Sequence, residues 1–215
     1  MLQTKIVGIN KLVSVTFFLF IFCDLFGQSR ICGAGVLRID LLKLTSNRKV
    51  NVYNENGSVF ATIYKNKETE ECEVSGVGKN SIKYVRAFFP DYGILMFDAN
   101  SLKLSGKVNV YIKNQIKYVN IKEVKSFSNF QIWNIFLKNV FVKVNDKSGI
   151  YTDTTSLRKI PKAENYSYSV KKISGDWIWV ECLKTCEECP KGKQLAGWIR
   201  WKRNDILLID FYYFC

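Results

Sequence analysis

Short runs in which apolar and polar residues alternate fill most of this chain, and they limit its fold more than any other feature. Residues 50–65, 107–121 and 176–183 are three such runs. Alternation with a period of two places the apolar side chains on one face of an extended strand. The apolar positions hold mainly Val, Ile, Tyr and Phe, which strands favour. The pattern therefore predicts an all-β fold built from short strands.

Turn signals divide these runs into hairpins. Asn56-Gly57 interrupts the run at 50–65, and Lys113-Asn114 interrupts the run at 107–121. Asn-Gly is a strong hairpin signal because both residues tolerate a positive φ. Pro90-Asp91 separates two further apolar runs in the same way. We expect consecutive strands to pair with one another across these turns.

The segment 126–139 breaks the alternating rhythm. Its apolar residues Phe127, Phe130, Trp133 and Leu137 have the spacing of a helical face, although its composition also permits a strand. We predict a short helix here, between two β-rich parts of the chain. The predicted domains are an N-terminal β-rich domain at 29–126, a helical junction at 127–139 and a small barrel domain at 140–215.

The chain contains no histidine, and this absence excludes several classes of enzyme. Ser-His-Asp and Cys-His catalysis and every histidine-based zinc site need that residue. Carboxylate chemistry of the glycosidase type remains as a remote alternative. Its candidates, which form no recognisable pair in the sequence, are Asp91, Asp98, Asp176 and Asp210. We predict a protein that is not an enzyme.

Residues 1–28 have the features of a secretory signal peptide. Lys5 and Lys11 precede an apolar run at 12–22, and a short segment at 25–28 follows. A membrane anchor is the alternative, but the run is shorter than the roughly 18 residues that a spanning helix needs. We therefore predict an exported protein of the periplasm or cell surface, with no transmembrane segment after cleavage.

Cysteine usage follows from that predicted location. An oxidising compartment favours disulfides, and we expect one local bridge among Cys182, Cys186 and Cys189. The remaining disulfide candidates are Cys32, Cys72 and Cys215. Two alternatives for the local cluster are a zinc site completed by Cys215 and a C-x-x-C redox centre at 186–189. The missing histidines and the two glutamates between the thiols disfavour them, and we predict no metal and no cofactor.

Three segments of the C-terminal part resemble the bacterial SH3-like family. GIYTDTTSLRKI at 149–160 stands at the position of the family's opening strand and loop, and SGDWIWVE at 174–181 and AGWIRW at 196–201 match its later tryptophan motifs. The resemblance covers roughly 140–210, and residues 50–63 look like a weaker second copy of the opening. It implies a small SH3-like barrel that binds a cell-wall peptide, a glycan or an envelope protein. The signal segment is similar to those of the Bacteroidetes and Flavobacteria group.

The tryptophans allow two interpretations. Trp177 and Trp179 share one face of a strand, and Ile178 and Val180 occupy the other. In the first interpretation the large aromatic residues fill the core and rim of a small barrel. In the second they form a binding groove. The candidate ligand contacts are Tyr151, Trp179, Trp198 and Trp201.

The chain is strongly basic, with 32 Lys and Arg against 19 Asp and Glu. The lysines are spread over most strands and turns instead of being clustered with aromatic residues, so we do not predict a nucleic-acid partner. An exported basic protein meets anionic envelope surfaces, which are a possible partner. The alternative to a ligand-binding role is a structural or assembly component that docks through the C-terminal residues 211–215.

Overall fold

The computed structural model describes residues 30–100, 106–144, 148–155, 158–160, 166–183, 189 and 195–213. The predicted signal peptide at 1–28 and the disulfide candidates Cys186 and Cys215 lie outside these ranges.

The described chain is mainly β-structure, as the alternating pattern predicts. Its strands are β1 Gly35–Asp40, β2 Lys49–Tyr53, β3 Val59–Lys65, β4 Cys72–Ser75, β5 Ala87–Phe89, β6 Ile94–Ala99, β7 Lys107–Ile112, β8 Gln115–Asn120, β9 Ser128–Ile132, β10 Phe141–Val144, β11 Ile150–Tyr151, β12 Ser167–Ser174, β13 Trp177–Cys182, β14 Ala196–Arg200, β15 Lys202–Arg203, β16 Ile206–Leu207 and β17 Ile209–Tyr212. Its α-helices are α1 Ile121–Val124 and α2 Trp133–Lys138. Short 3-10 turns occupy Leu41–Lys43, Lys79–Tyr84, Pro90–Tyr92 and Lys125–Phe127.

The first sheet has nine antiparallel strands and curls into a half-barrel. Its order is β4-β3-β2-β8-β7-β6-β1-β9, and β5 pairs with β6 beside β7. All three predicted hairpins are present, including β5 and β6 across Pro90-Asp91. Gly57 closes the turn between β2 and β3 with a φ of +87°, and Lys113 and Asn114 close the turn between β7 and β8 with φ values of +48° and +65°. Positive φ at these positions matches the right-handed twist of the paired strands.

The second sheet has six antiparallel strands in the order β11-β14-β13-β12-β10-β17. Strands β12, β13 and β14 follow one another as a meander, and the C-terminal strand β17 returns to lie beside β10. A separate pair, β15 and β16, connects the meander to β17.

The two sheets share a hydrophobic core, and β6 shows this most clearly because all six of its residues are buried. Leu95 and Phe97 belong to the core inside the first half-barrel. Ile94 and Met96 point the other way and pack with α2 and the second sheet. Strand β6 is therefore covered on both faces, and its sequence ILMFDA is apolar at nearly every position for that reason.

A buried ion pair lies within this shared region. The Arg86 guanidinium donates to both carboxylate oxygens of Asp98, with Nε–Oδ1 and Nη2–Oδ2 distances of 2.7 Å. The two side chains are only 4% and 0% exposed. The guanidinium also lies 5.4 Å from the ring centre of Trp133 on α2. The pair thus connects the first sheet to the helix between the two sheets.

The helix at the junction is shorter than its apolar spacing suggests. Ser128–Ile132 form strand β9, which pairs with β1, and only Trp133–Lys138 are helical. Trp133, Phe136 and Leu137 face the shared core and are buried. The first half of the segment becomes a strand because the edge of β1 offers it a complete set of backbone partners.

Candidate functional site: an aromatic face on the second sheet

The meander of the second sheet separates its side chains into a core face and an outer face. Ile178, Val180 and Ile199 point inward and have 0% exposure. The intervening residues on β13 and β14 point outward and are half-buried, which confirms that Trp177 and Trp179 share the face opposite Ile178. Alternation along each strand produces this division directly.

Four outward residues form one cluster, which we call the aromatic face: Tyr151, Trp177, Trp179 and Trp198. In the strand register Trp198 lies between Tyr151 on one side and Trp179 on the other. The rings of Trp179 and Trp198 meet edge to face, with centres 5.5 Å apart. Tyr151 reaches Trp177 in the same manner at 5.8 Å. These are favoured geometries for aromatic pairs, and they hold the four rings in fixed positions.

Charged groups border one end of the aromatic face. Arg200 lies opposite Trp177 in the register, with its guanidinium carbon 6.0 Å from that ring. The Arg200 Nη2 donates to Asp176 at 3.4 Å, and Lys202 approaches the same carboxylate at 3.7 Å. The Nε of Arg200 has no hydrogen-bond partner among the described residues. A hydrogen-bonding guanidinium and a carboxylate therefore stand directly beside an aromatic surface.

Two glycines of the tryptophan motifs build this face. At Gly197 a Cβ would lie 2.5 Å from Cγ2 of Ile150 and 2.7 Å from the carbonyl oxygen of Tyr151. Only glycine lets β11 approach β14 closely enough to place Tyr151 beside Trp198. Gly175 has a φ of +57° in the turn between β12 and β13, where a side chain would strain the backbone.

Trp201 does not belong to the aromatic face, although the sequence groups it with the other candidates. It is 3% exposed and packs in the shared core, with its ring centre 6.1 Å from that of Trp133. Its indole nitrogen donates to the carbonyl oxygen of Gly175 at 3.0 Å. Trp201 lies two residues after the buried Ile199, so continuing the alternation of β14 by one residue places it on the core face, opposite Trp198. Trp177 belongs to the aromatic face, although it was not among the candidate ligand contacts. Its position two residues before Trp179, on the same face of the strand, was the sequence signal that could have identified it.

The cysteine cluster forms a local disulfide, as expected, and it joins Cys182 to Cys189. This pairing rules out both alternatives for the cluster, because the zinc site and the redox centre each need Cys189 as a thiol. Cys72 on β4 is a free thiol, so the prediction that it takes part in a disulfide is wrong. The amide of Cys32 donates to Asp98 at 2.8 Å.

Two of the four candidate carboxylates are engaged by basic side chains. Asp98 is buried against Arg86, and Asp176 contacts Arg200 and Lys202. Asp91 and Asp210 are exposed. The described residues contain no group of three or more His, Cys, Asp or Glu side chains arranged to hold a metal ion.

Comparison with protein-family models, curated proteins and solved structures found no match to this chain. Among the described residues, no helix is both long and apolar enough to cross a membrane.

Proposed function

We propose that this protein is a non-enzymatic, exported binding protein whose C-terminal sheet is an SH3-like module that recognises a cell-envelope ligand. The observation that carries the proposal is the aromatic face, where four large rings stand together on the outer side of a sheet. A contiguous patch of large aromatic residues on the outer side of a sheet marks a candidate interaction surface.

The path of the chain supports the SH3-like part of the proposal. In the sheet, β10 lies beside β12, the first strand of the three-stranded meander β12 to β14. The last strand, β17, returns to lie on the other side of β10. Such a return brings the ends of a short all-β chain together and curls the sheet. The disulfide between Cys182 and Cys189 fits an oxidising compartment.

Among envelope ligands, the geometry favours a glycan. The hydrophobic face of a sugar ring packs on an aromatic ring, and its hydroxyl groups pair with charged side chains at the edge. Trp179 and Trp198 supply two rings at 72° to each other. Arg200 and Asp176 supply donors and an acceptor beside Trp177. The glycan strands of peptidoglycan carry both kinds of surface, and a wall peptide or an envelope protein is the remaining candidate.

The alternative is a structural component that docks through its C-terminus. Phe211, which this idea needs on the surface, instead packs against the rings of Trp133 and Phe136, with centres 6.5 and 5.3 Å away. Phe214 and Cys215 lie outside the described residues. Because Phe211 packs against the core, we favour the aromatic face as the interaction surface.

The test is co-sedimentation of purified residues 29–215 with isolated peptidoglycan sacculi at low and high salt. We expect pelleting that survives high salt and is lost when Trp179 and Trp198 are both changed to Ala. Tyr92→Ala, which removes an exposed ring outside the aromatic face, is the matched control and should pellet like the parent.

Pelleting that disappears at high salt would mean that the net charge alone causes the association. Absence of pelleting at both salt levels would rule out the wall ligand. In that case the aromatic face serves only to pack the outer side of the second sheet.

A further inference from the structure

We propose that a basic groove on the first sheet binds phosphate or sulfate groups of an anionic polysaccharide, independently of the aromatic face. The groove consists of two neighbouring clefts of about 260 and 380 Å³. One cleft is lined by residues of α1 and the other by the start of β9, and Ser126 lines both. The basic groove is defined by Arg38, Lys43, Arg48, Lys49, Lys122 and Ser126.

The two carboxylates in the groove, Asp40 and Glu123, already have hydrogen-bond or ion-pair partners. Asp40 accepts from the amide of Leu42 at 3.1 Å and pairs with Lys43 at 3.4 Å. Glu123 accepts from the hydroxyl of Tyr53 at 2.8 Å and from the side chain of Asn120 at 3.2 Å. Its second oxygen accepts from Asn51 at 3.3 Å. Neither acid forms an ion pair with Arg38, Arg48, Lys49 or Lys122, and the five cations of the groove outnumber its two carboxylates.

Four cations therefore remain without an ion pair in the described structure: Arg38, Arg48, Lys49 and Lys122. All four are exposed. Like charges held together repel one another, and a bound anion would relieve that repulsion. Their concentration in one groove distinguishes it from the lysines that stack on rings elsewhere, such as Lys117 over Phe60 and Lys107 over Tyr118.

One donor in the groove is oriented in advance. Arg48 Nη1 donates to the hydroxyl oxygen of Ser126 at 2.9 Å, which fixes one arm of the guanidinium at the point where the two clefts meet. Its other N–H groups stay available in a planar fork, which suits the oxygens of phosphate and sulfate. Lys49 and Lys122 line the same cleft and add point charges.

The shape of the groove favours an anionic polysaccharide over nucleic acid. Single-stranded nucleic acid is bound by aromatic rings on which its bases stack. The one aromatic residue lining the described groove, Phe127, is only 4% exposed and belongs to the core. Two clefts that meet at Ser126 can hold successive anionic groups of one polymer without any stacking surface.

The test measures binding of residues 29–215, which contain every described element, to dextran sulfate, neutral dextran and inorganic phosphate by calorimetry. The groove variant is Arg48→Gln, Lys49→Gln and Lys122→Gln. The control variant is Lys67→Gln, Lys138→Gln and Arg203→Gln, which removes the same charge from exposed residues outside the groove. We expect dextran sulfate affinity to fall about tenfold or more in the groove variant, which corresponds to ~1.4 kcal/mol.

The control variant should lose less than about a third of that free energy, because it changes only the long-range field. Equal losses in both variants, or no binding of dextran sulfate by the parent, would overturn the proposal. Binding of neutral dextran as strong as that of dextran sulfate would also overturn it. Changing Trp179 and Trp198 to Ala should leave this affinity unchanged, so the result is separate from that for the aromatic face.

Discussion

At the scale of single residues, Arg86 and Asp98 stand out as an ion pair that is almost completely buried. Burial lowers the pKa of Arg86, but the charge and hydrogen bonds of Asp98 outweigh that effect and raise it overall. The guanidinium therefore stays charged between the two sheets. Tyr213 lies close enough to feel both charges, and burial raises the pKa of its hydroxyl. These residues form a polar connection inside an otherwise apolar interface.

Removing one member of the pair should be strongly destabilising. We expect Asp98→Ala to lower the free energy of unfolding by about 3–5 kcal/mol, because Arg86 would remain buried and charged. Urea unfolding at neutral pH measures this loss. The double variant Arg86→Met, Asp98→Leu should recover most of it. A loss in Asp98→Ala below about 1 kcal/mol would show that water reaches the guanidinium.

Gly197 is the residue on which the position of Tyr151 depends. We expect Gly197→Ala to cost about 1–3 kcal/mol, because the new Cβ would meet the buried Ile150 and the backbone of Tyr151. Gly149→Ala is the control, since its nearest contact is the end of the flexible Lys159 side chain. Thermal unfolding compares the two, and equal stability of both variants would contradict this account of the motif.

The Cys72 thiol should react slowly at neutral pH. Burial raises the pKa of Cys72, so its folded form holds less thiolate than an ordinary cysteine near pH 7. We expect alkylation by iodoacetamide, followed by peptide mass spectrometry, to be slower than in the urea-unfolded chain and to accelerate only at higher pH. Equal rates in the folded and unfolded chains would contradict the shift.

At the scale of elements, the hairpin of β13 and β14 combines a core face, the aromatic face and a disulfide. The bridge from Cys182 to Cys189 closes a short loop just after β13 ends. It starts at the last residue of β13, the strand on which Trp179 lies opposite Trp198 of β14.

Loss of this bridge should destabilise the protein moderately. For a loop of this length we expect Cys182→Ser, Cys189→Ser to lower the free energy of unfolding by roughly 2–3 kcal/mol. Cys72→Ser, which removes a free thiol, should change it by much less. Urea unfolding under non-reducing conditions measures both. Equal effects of the two variants would mean that the bridge restrains little of the unfolded chain.

At the scale of the whole molecule, the two sheets depend on one another. The second sheet packs its core against Val36, Ala87, Ile94 and Met96 of the first sheet, with α2 between them. The buried pair of Arg86 and Asp98 lies in the same region. Because of this shared core, we expect the two sheets to unfold as a single cooperative unit.

The C-terminal residues 140–215 should not fold stably when produced alone. Without the first sheet and α2, the apolar face that includes Val142, Tyr168 and Ile209 would be exposed to water. We expect weak near-UV circular dichroism and binding of a hydrophobic dye, in contrast to residues 29–215. A fragment that unfolds cooperatively near the midpoint of the full chain would contradict this dependence.

The strands and their turns could be predicted from local sequence, because alternation and positive-φ turn residues act within a few positions. The hairpins at Asn56-Gly57 and Lys113-Asn114 and the shared direction of Trp177 and Trp179 followed from this. The segment at 128–132 could not be assigned this way, since its strand exists only because β1 lies beside it.

Contacts between distant residues depended on how the sheets pack. Local patterns could not choose Cys189 as the partner of Cys182. Nor could they predict that Asp98 is buried against Arg86, or that Arg38, Arg48 and Lys122 line one groove. Alternation specifies the face of a strand to which a side chain points, whereas the opposing surface belongs to residues far away along the chain. Only the assembled sheets bring those residues together.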